Sequence, residues 1–163
     1  MAELATGHLK GVTNGAALVL GSGLGGGIII NGKLFQGSHF QAGELTFLLP
    51  LQMEKLDPSL MQETTLSAIG LITKVNEILA SLDLKDGLLA FKAINAKKEA
   101  VYPIFETYCR NLAITILNLQ TIFDMETFVL GGGISAQSIL IEEVNRQFDK
   151  VHHEIDFIGK IIK

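Results

Sequence analysis

Gly21, Gly23, Gly25, Gly26 and Gly27, in the stretch GSGLGGG, strip a short length of backbone of its side chains. Glycine at this density suits two purposes. It can turn the chain tightly between two core strands, or it can let phosphate oxygens come close to main-chain N–H groups. A tight hairpin needs only one or two glycines, so the excess favours phosphate, and Ser22 adds a hydroxyl that can donate to it. A second cluster, Gly131, Gly132 and Gly133 in VLGGGIS, follows an apolar run and leads into a helical pattern. Ligands of open α/β sheets gather beyond the carboxyl ends of strands. Glycine there admits a flat base or a sugar, although a tight strand-to-helix turn would ask for it too. Two such turns in one domain are expected to hold one ligand between them.

Glu44, in AGE shortly after the first cluster, is the candidate acid. A loop carboxylate is usually just solvated; the alternative is that it accepts hydrogen bonds from sugar hydroxyls. His39, His152 and His153 have no ligand spacing with a cysteine or a second acid and read as surface or turn histidines. The first glycine cluster matches G-x-G-x-x-G in part, but strand-like runs lie on both sides of it, so the helix a Rossmann site requires does not follow. No Lys-Ser or Lys-Thr pair follows either, which excludes a Walker A loop.

The elements that would position these residues are legible in part. Residues 16–21 (AALVLG) and 27–31 (GIIIN) read as short apolar strands, Asn31-Gly32 as a hairpin turn, and residues 33–36 as the returning strand, an antiparallel meander. Asp57-Pro58 is a helix start, and Leu71, Val75, Ile78 and Leu82, widened by Ile69, Ile72 and Leu79, form the stripe by which that helix should lie on a core. A shorter helix is expected over residues 88–94. A long one is expected over 98–123, with Val101, Phe105, Tyr108, Leu112, Leu119 and Ile122 on one face and Pro103 tolerated in its first turn. Residues 126–130 (ETFVL) read as a buried strand, and Ser135 as the cap of a helix carrying Leu140, Val144, Phe148 and Val151. Residues 157–162 (FIGKII) read as a closing strand. The order suggests one α/β layer structure over 1–163.

The totals narrow the function. With 163 residues the chain fits one domain, and its net charge of −4 with scattered Lys and Arg lacks the basic footprint of a nucleic-acid or membrane-surface binder. A lone cysteine, Cys109, gives neither a disulfide framework nor a cysteine-rich metal site, which fits a reducing compartment. No apolar run is long enough to span a bilayer and no basic-then-apolar leader opens the chain, so a cytoplasmic location is expected. Hydrophobic residues make up 48% and charged ones 18%, which anticipates apolar surface meant for a neighbour.

LGSGLGGGIIINGKLFQG, then AGE, then LNLQTIFDMETFVLGGGIS resemble, in the same order, the C-terminal half of the ROK family of bacterial sugar kinases and repressors. The resemblance implies an actin-like ATPase fold (ribonuclease H-like, α/β) with ATP, its Mg²⁺ and a sugar in a cleft between two domains. It places Gly21, Ser22 and Gly23 in the family's second phosphate motif, with Gly25, Gly26 and Gly27 continuing that loop. It places Gly131, Gly132 and Gly133 beside the adenosine, and it makes Glu44 the sugar-contacting acid. Thr46 and Phe47 stand where the family has Gly-His; with that histidine and the downstream cysteines missing, no zinc is expected. The family's first phosphate motif, Asp-x-Gly-Gly-Thr, does not occur here, its catalytic aspartate would precede the segment that opens this chain, and its closing helix would follow Lys163. The resemblance therefore implies a truncated C-terminal domain, catalytically inactive by itself, that self-associates. The parent protein is expected to be an ATP-dependent hexose kinase or, alternatively, a non-catalytic sugar-sensing regulator; no nucleic-acid contact is expected from this chain.

Overall fold

The computed structural model describes residues 7–48 and 65–153. Strands β1 (Gly15–Leu20), β2 (Leu24–Ile30) and β3 (Lys33–Phe35) form the expected antiparallel meander. Asn31 and Gly32 make the β2–β3 turn because both adopt positive φ, 53° and 71°. The turn is fastened to the start of β1: the Asn31 amide donates to the Asn14 side chain and the Gly32 amide to the Thr13 carbonyl. Strand β4 (Thr127–Gly132) runs parallel to β1, giving the sheet order β3-β2-β1-β4. Leu20 lies opposite Gly132 in that pairing. Both glycine turns therefore leave the same end of the sheet.

Period two divides β1. Ala16, Leu18 and Leu20 face the core, whereas Val19 on the other face is 47% exposed. On the core side the strands pack with four helices, α1 (Ala68–Ile78), α2 (Gly87–Asn95), α3 (Tyr102–Phe123) and α4 (Ser138–His153). Phe105, Leu112 and Ile116 of α3, Phe128 of β4 and Leu140 and Val144 of α4 belong to one apolar cluster with Leu18, Leu20 and Leu24.

Asp57 and Pro58 lie outside the described residues, but the helix bearing Leu71 and Val75 starts afresh at Ala68. Ser67 is extended there, and its Oγ accepts the Gly70 amide at 2.9 Å. The helix stops at Ile78, so the stripe expected to lie on the core is only partly buried. Leu71 and Val75 are inside, Ile69 and Ile78 are about half exposed, and Leu82, beyond the helix end, is wholly exposed. Helix α2 begins where Asp86 caps it through the Leu89 amide, at 2.9 Å. Helix α3 begins at Tyr102, four residues later than expected, with Pro103 in its first turn. It buries Phe105, Tyr108, Leu112 and Leu119, but Ile122 is 70% exposed. It ends at Asp124, which turns left-handed at φ 49°. Buried Gln120 seals that end: its amide donates to Asp124 Oδ1 and its carbonyl oxygen accepts the Met125 amide, both at 3.0 Å.

Helices α3 and α4 are pinned by a buried carboxylate. Glu143 accepts hydrogen bonds from the Tyr102 hydroxyl, Arg146 and Gln147, and Arg146 also pairs with Glu106. Burial alone would raise the pKa of Glu143, but the bonds from Arg146, Gln147 and Tyr102 outweigh it and hold the carboxyl below its usual range. Burial and the same carboxylate push the Tyr102 phenol up to about 12. The strand-like run 157–162 lies outside the described residues.

Candidate functional site

Strand β1 ends at Leu20, and three residues, Gly21, Ser22 and Gly23, carry the chain into β2. The Gly21 amide donates to the Gly23 carbonyl at 3.1 Å, closing the turn. The Gly21 carbonyl accepts the Ala68 amide at 2.8 Å and the Ile69 amide at 3.4 Å, so the first donors of α1 are used inside the protein. The amides of Ser22 and Gly23 have no acceptor among the described residues. Ser22 is exposed, with its hydroxyl on the same turn.

Gly25, Gly26 and Gly27 do not continue this loop as the family resemblance implied, and only Gly27 was expected in a strand. They are strand residues of β2, opposite Val19, Leu18 and Ala17. Gly26 is demanded by packing: a Cβ there would lie 2.7 Å from both the Gly43 carbonyl oxygen and the Leu45 side chain. Gly43, at φ +92°, is pressed on Gly26 in return. This contact seats the Gly43-Glu44 turn on β2. The Glu44 side chain is exposed and takes no part in capping the short 3₁₀ turn Leu45–Phe47 that follows. One residue into that turn, the Thr46 hydroxyl accepts the Leu24 amide at 3.1 Å. The Glu44 turn thus sits beside the exit of the Gly21–Gly23 turn.

The second cluster divides in the same way. Gly131 and Gly132 are the last residues of β4, and only Gly133 begins the turn. Gly132 is structural: at φ +100° its Cβ would strike the Leu20 carbonyl at 2.2 Å. Ser135 does not cap α4. Its amide and its hydroxyl both donate to the Gly132 carbonyl, at 3.2 and 2.9 Å, closing a turn that delays the helix to Ser138.

Gly21 and Gly133 are different, because a Cβ on either would meet nothing within 4 Å. Crowding explains neither, and both line one cavity of about 320 Å³ between the two turns and helices α1 and α2. Its walls include Ile69, Ile72, Leu88, Phe91, Ile134 and the single side-chain amide of Gln137. Apolar walls with glycines among them can accept an apolar or heteroaromatic ring, and a cavity of this volume falls at the lower end of small-ligand sites. Sequence reasoning missed this wall. Ile69 reads as core because apolar residues at helical spacing usually are, and its half exposure depends on where α2 sits.

His39 is exposed, and the His153 ring nitrogen Nδ1 lies 2.9 Å from the Asp149 carbonyl of its own helix. Cys109 is buried in α3, and desolvation pushes its thiol pKa up, away from the thiolate a metal would need. Among the described residues no group of three or more His, Cys, Asp or Glu side chains could hold a metal ion. Among those residues, too, no helix is long and apolar enough to cross a membrane.

An antiparallel meander joined to a parallel strand, with glycine turns meeting at one cavity, is one half of an actin-like ATPase α/β fold. The chain belongs to the ROK family, which matches residues 1–155. It is similar to the N-acetyl-D-glucosamine kinase of Vibrio cholerae, at 30% identity, with 96% of this chain and 55% of that protein covered. It is similar also to the glucokinase of Halalkalibacterium halodurans, at 28% identity, with 91% and 50% covered. A ROK family protein from Streptococcus pneumoniae, solved in complex with sucrose, matches at 28% identity with a TM-score of 0.82, over 99% of this chain and 55% of that one. The chain spans about half the length of the curated relatives it matches.

Proposed function

We propose that this chain is the nucleotide-binding half of an ATP-dependent sugar kinase, which transfers the γ-phosphoryl group to a hexose hydroxyl and releases ADP. The observation that carries this reading is that Gly21 and Gly133, the bare positions no internal contact requires, face the same cavity. In this reading the adenine lies between Ile69, Leu88 and Ile134, with Gly133 at its edge. The phosphates reach the Ser22 and Gly23 amides and the Ser22 hydroxyl, where main-chain donors stabilise charge without reorganising. Gly25, Gly26, Gly27, Gly131 and Gly132 shape the strands that aim these turns rather than touching the ligand. Glu44 accepts hydrogen bonds from the sugar. Mg²⁺ bound with the nucleotide would supply positive charge against the phosphates, and we assign no residue of this chain to hold it. The hydroxyl proton goes to a carboxylate base, a role we assign to no residue of this chain. Self-association through apolar surface such as Ile114 and Ile122 of α3 belongs to the same proposal.

The test is calorimetric titration of ADP, glucose and N-acetylglucosamine into the complete natural protein. ADP should bind, and Gly133→Val should weaken its binding by an order of magnitude or more. A complete protein that binds hexose but never ADP would leave the sugar-sensing regulator as the better reading.

A further inference from the structure

We propose that Thr46 is a positioning residue that makes sugar and nucleotide bind cooperatively, by lashing the Glu44 turn to the phosphate-type turn. The proposal rests on the kinase reading above and deepens it.

The connection is short. Leu24 directly follows Gly23, and its main-chain amide is buried with a side chain that is wholly inside the core. That amide donates to the Thr46 hydroxyl at 3.1 Å, and Thr46 lies two residues beyond Glu44. The Glu44 side is otherwise held through Gly43 on Gly26, a contact that fixes how close the turn sits to β2. The Thr46 bond adds what that contact lacks, a directed tie to the start of β2, next to the Ser22 and Gly23 amides that have no acceptor among the described residues. A sugar that orders the Glu44 turn therefore orders those amides as well. Two ligands that order the same element each lower the cost of binding the other.

The hydroxyl can be removed at nearly constant shape. Thr46→Val loses the acceptor and Thr46→Ser keeps it. In the complete natural protein, ADP would be titrated with and without saturating glucose or N-acetylglucosamine, and exchange of the Leu24 amide would be followed without ligands. In the wild type and in Thr46→Ser, sugar should tighten ADP by about fivefold or more. In Thr46→Val the tightening should vanish, and Leu24 exchange should rise about tenfold, the equivalent of ~1.4 kcal/mol. Undiminished coupling in Thr46→Val, lost coupling in Thr46→Ser, or no coupling in the wild type would each overturn the proposal. Absence of any ADP binding by the wild type would overturn the kinase reading and take this proposal with it, an outcome distinct from the other three.

Discussion

Gly26 and Gly43 meet main chain to main chain. A Cβ on Gly26 would lie 2.7 Å from the Gly43 carbonyl oxygen, and one on Gly43 would lie 2.8 Å from that of Gly26. Backbone cannot withdraw as a side-chain tip can, so Gly26→Ala must move the Glu44 turn away from β2. Overpacking of this kind costs about 1–3 kcal/mol, and urea denaturation should show it. A neutral Gly26→Ala would mean that the turn is free to lift and that Glu44 is not held in place.

Gly133 should behave in the opposite way. Its Cβ position is open, so Gly133→Val should leave stability within about 0.5 kcal/mol, the usual range for surface changes. If the cavity takes the base, ADP affinity should nevertheless fall by an order of magnitude or more. Thermal melts and calorimetry on the same sample separate the two effects. Loss of stability with unchanged ADP binding would place the ligand elsewhere.

Buried Gln120 holds the α3–β4 corner through Asp124 and Met125. Gln120→Leu leaves the buried Met125 amide without an acceptor, at a cost of about 1–3 kcal/mol. The denaturation midpoint should drop accordingly, and Gln120→Glu should recover part of the loss because it keeps an acceptor for that amide.

The Tyr102–Glu143 pair predicts two limbs in a stability-versus-pH curve. The folded-state phenol is raised, to about 12, so its contribution is whole below the ordinary value of ~10 and is lost as pH climbs towards 12. Glu143 is depressed, so its contribution is whole above the ordinary value of ~4.3 and disappears as pH falls below it. Tyr102→Phe should flatten the alkaline limb. Glu143→Gln should flatten the acid limb while lowering stability at pH 7. Denaturant midpoints measured across pH would reveal either limb unchanged if the pairing is wrong.

What could be read from the sequence was local. The Asn31-Gly32 turn, the short helix over residues 88–94 and the α4 stripe all follow from neighbours a few residues apart, and the structure has them. Strand β2 begins earlier than residue 27, taking in Gly25 and Gly26 although glycine disfavours strands, and the reason for Gly26 is a turn that arrives from much further along the chain. Ser135 sits at a cap-like position in the sequence, yet it serves Gly132 instead, and the helix waits until Ser138. The apolar wall of Ile69 and Leu88 was hidden for a related reason: a residue lining a ligand cavity and a residue lining the core obey the same periodicity. Only the stopping point of α1 and the arrival of α2 tell them apart.

The carbonyl of Gly21 gives the domain a neck. By gripping the amides of Ala68 and Ile69, it draws together the two ends of the excursion that begins at Ser22 and returns at Ser67. Lengthening a closed excursion costs little entropy, about 0.6 kcal/mol for each doubling. Changes of length within that excursion should therefore be absorbed where they leave β2, β3 and the Gly43–Thr46 turn in place, because the clasp holds the ring of residues around the cavity independently of them.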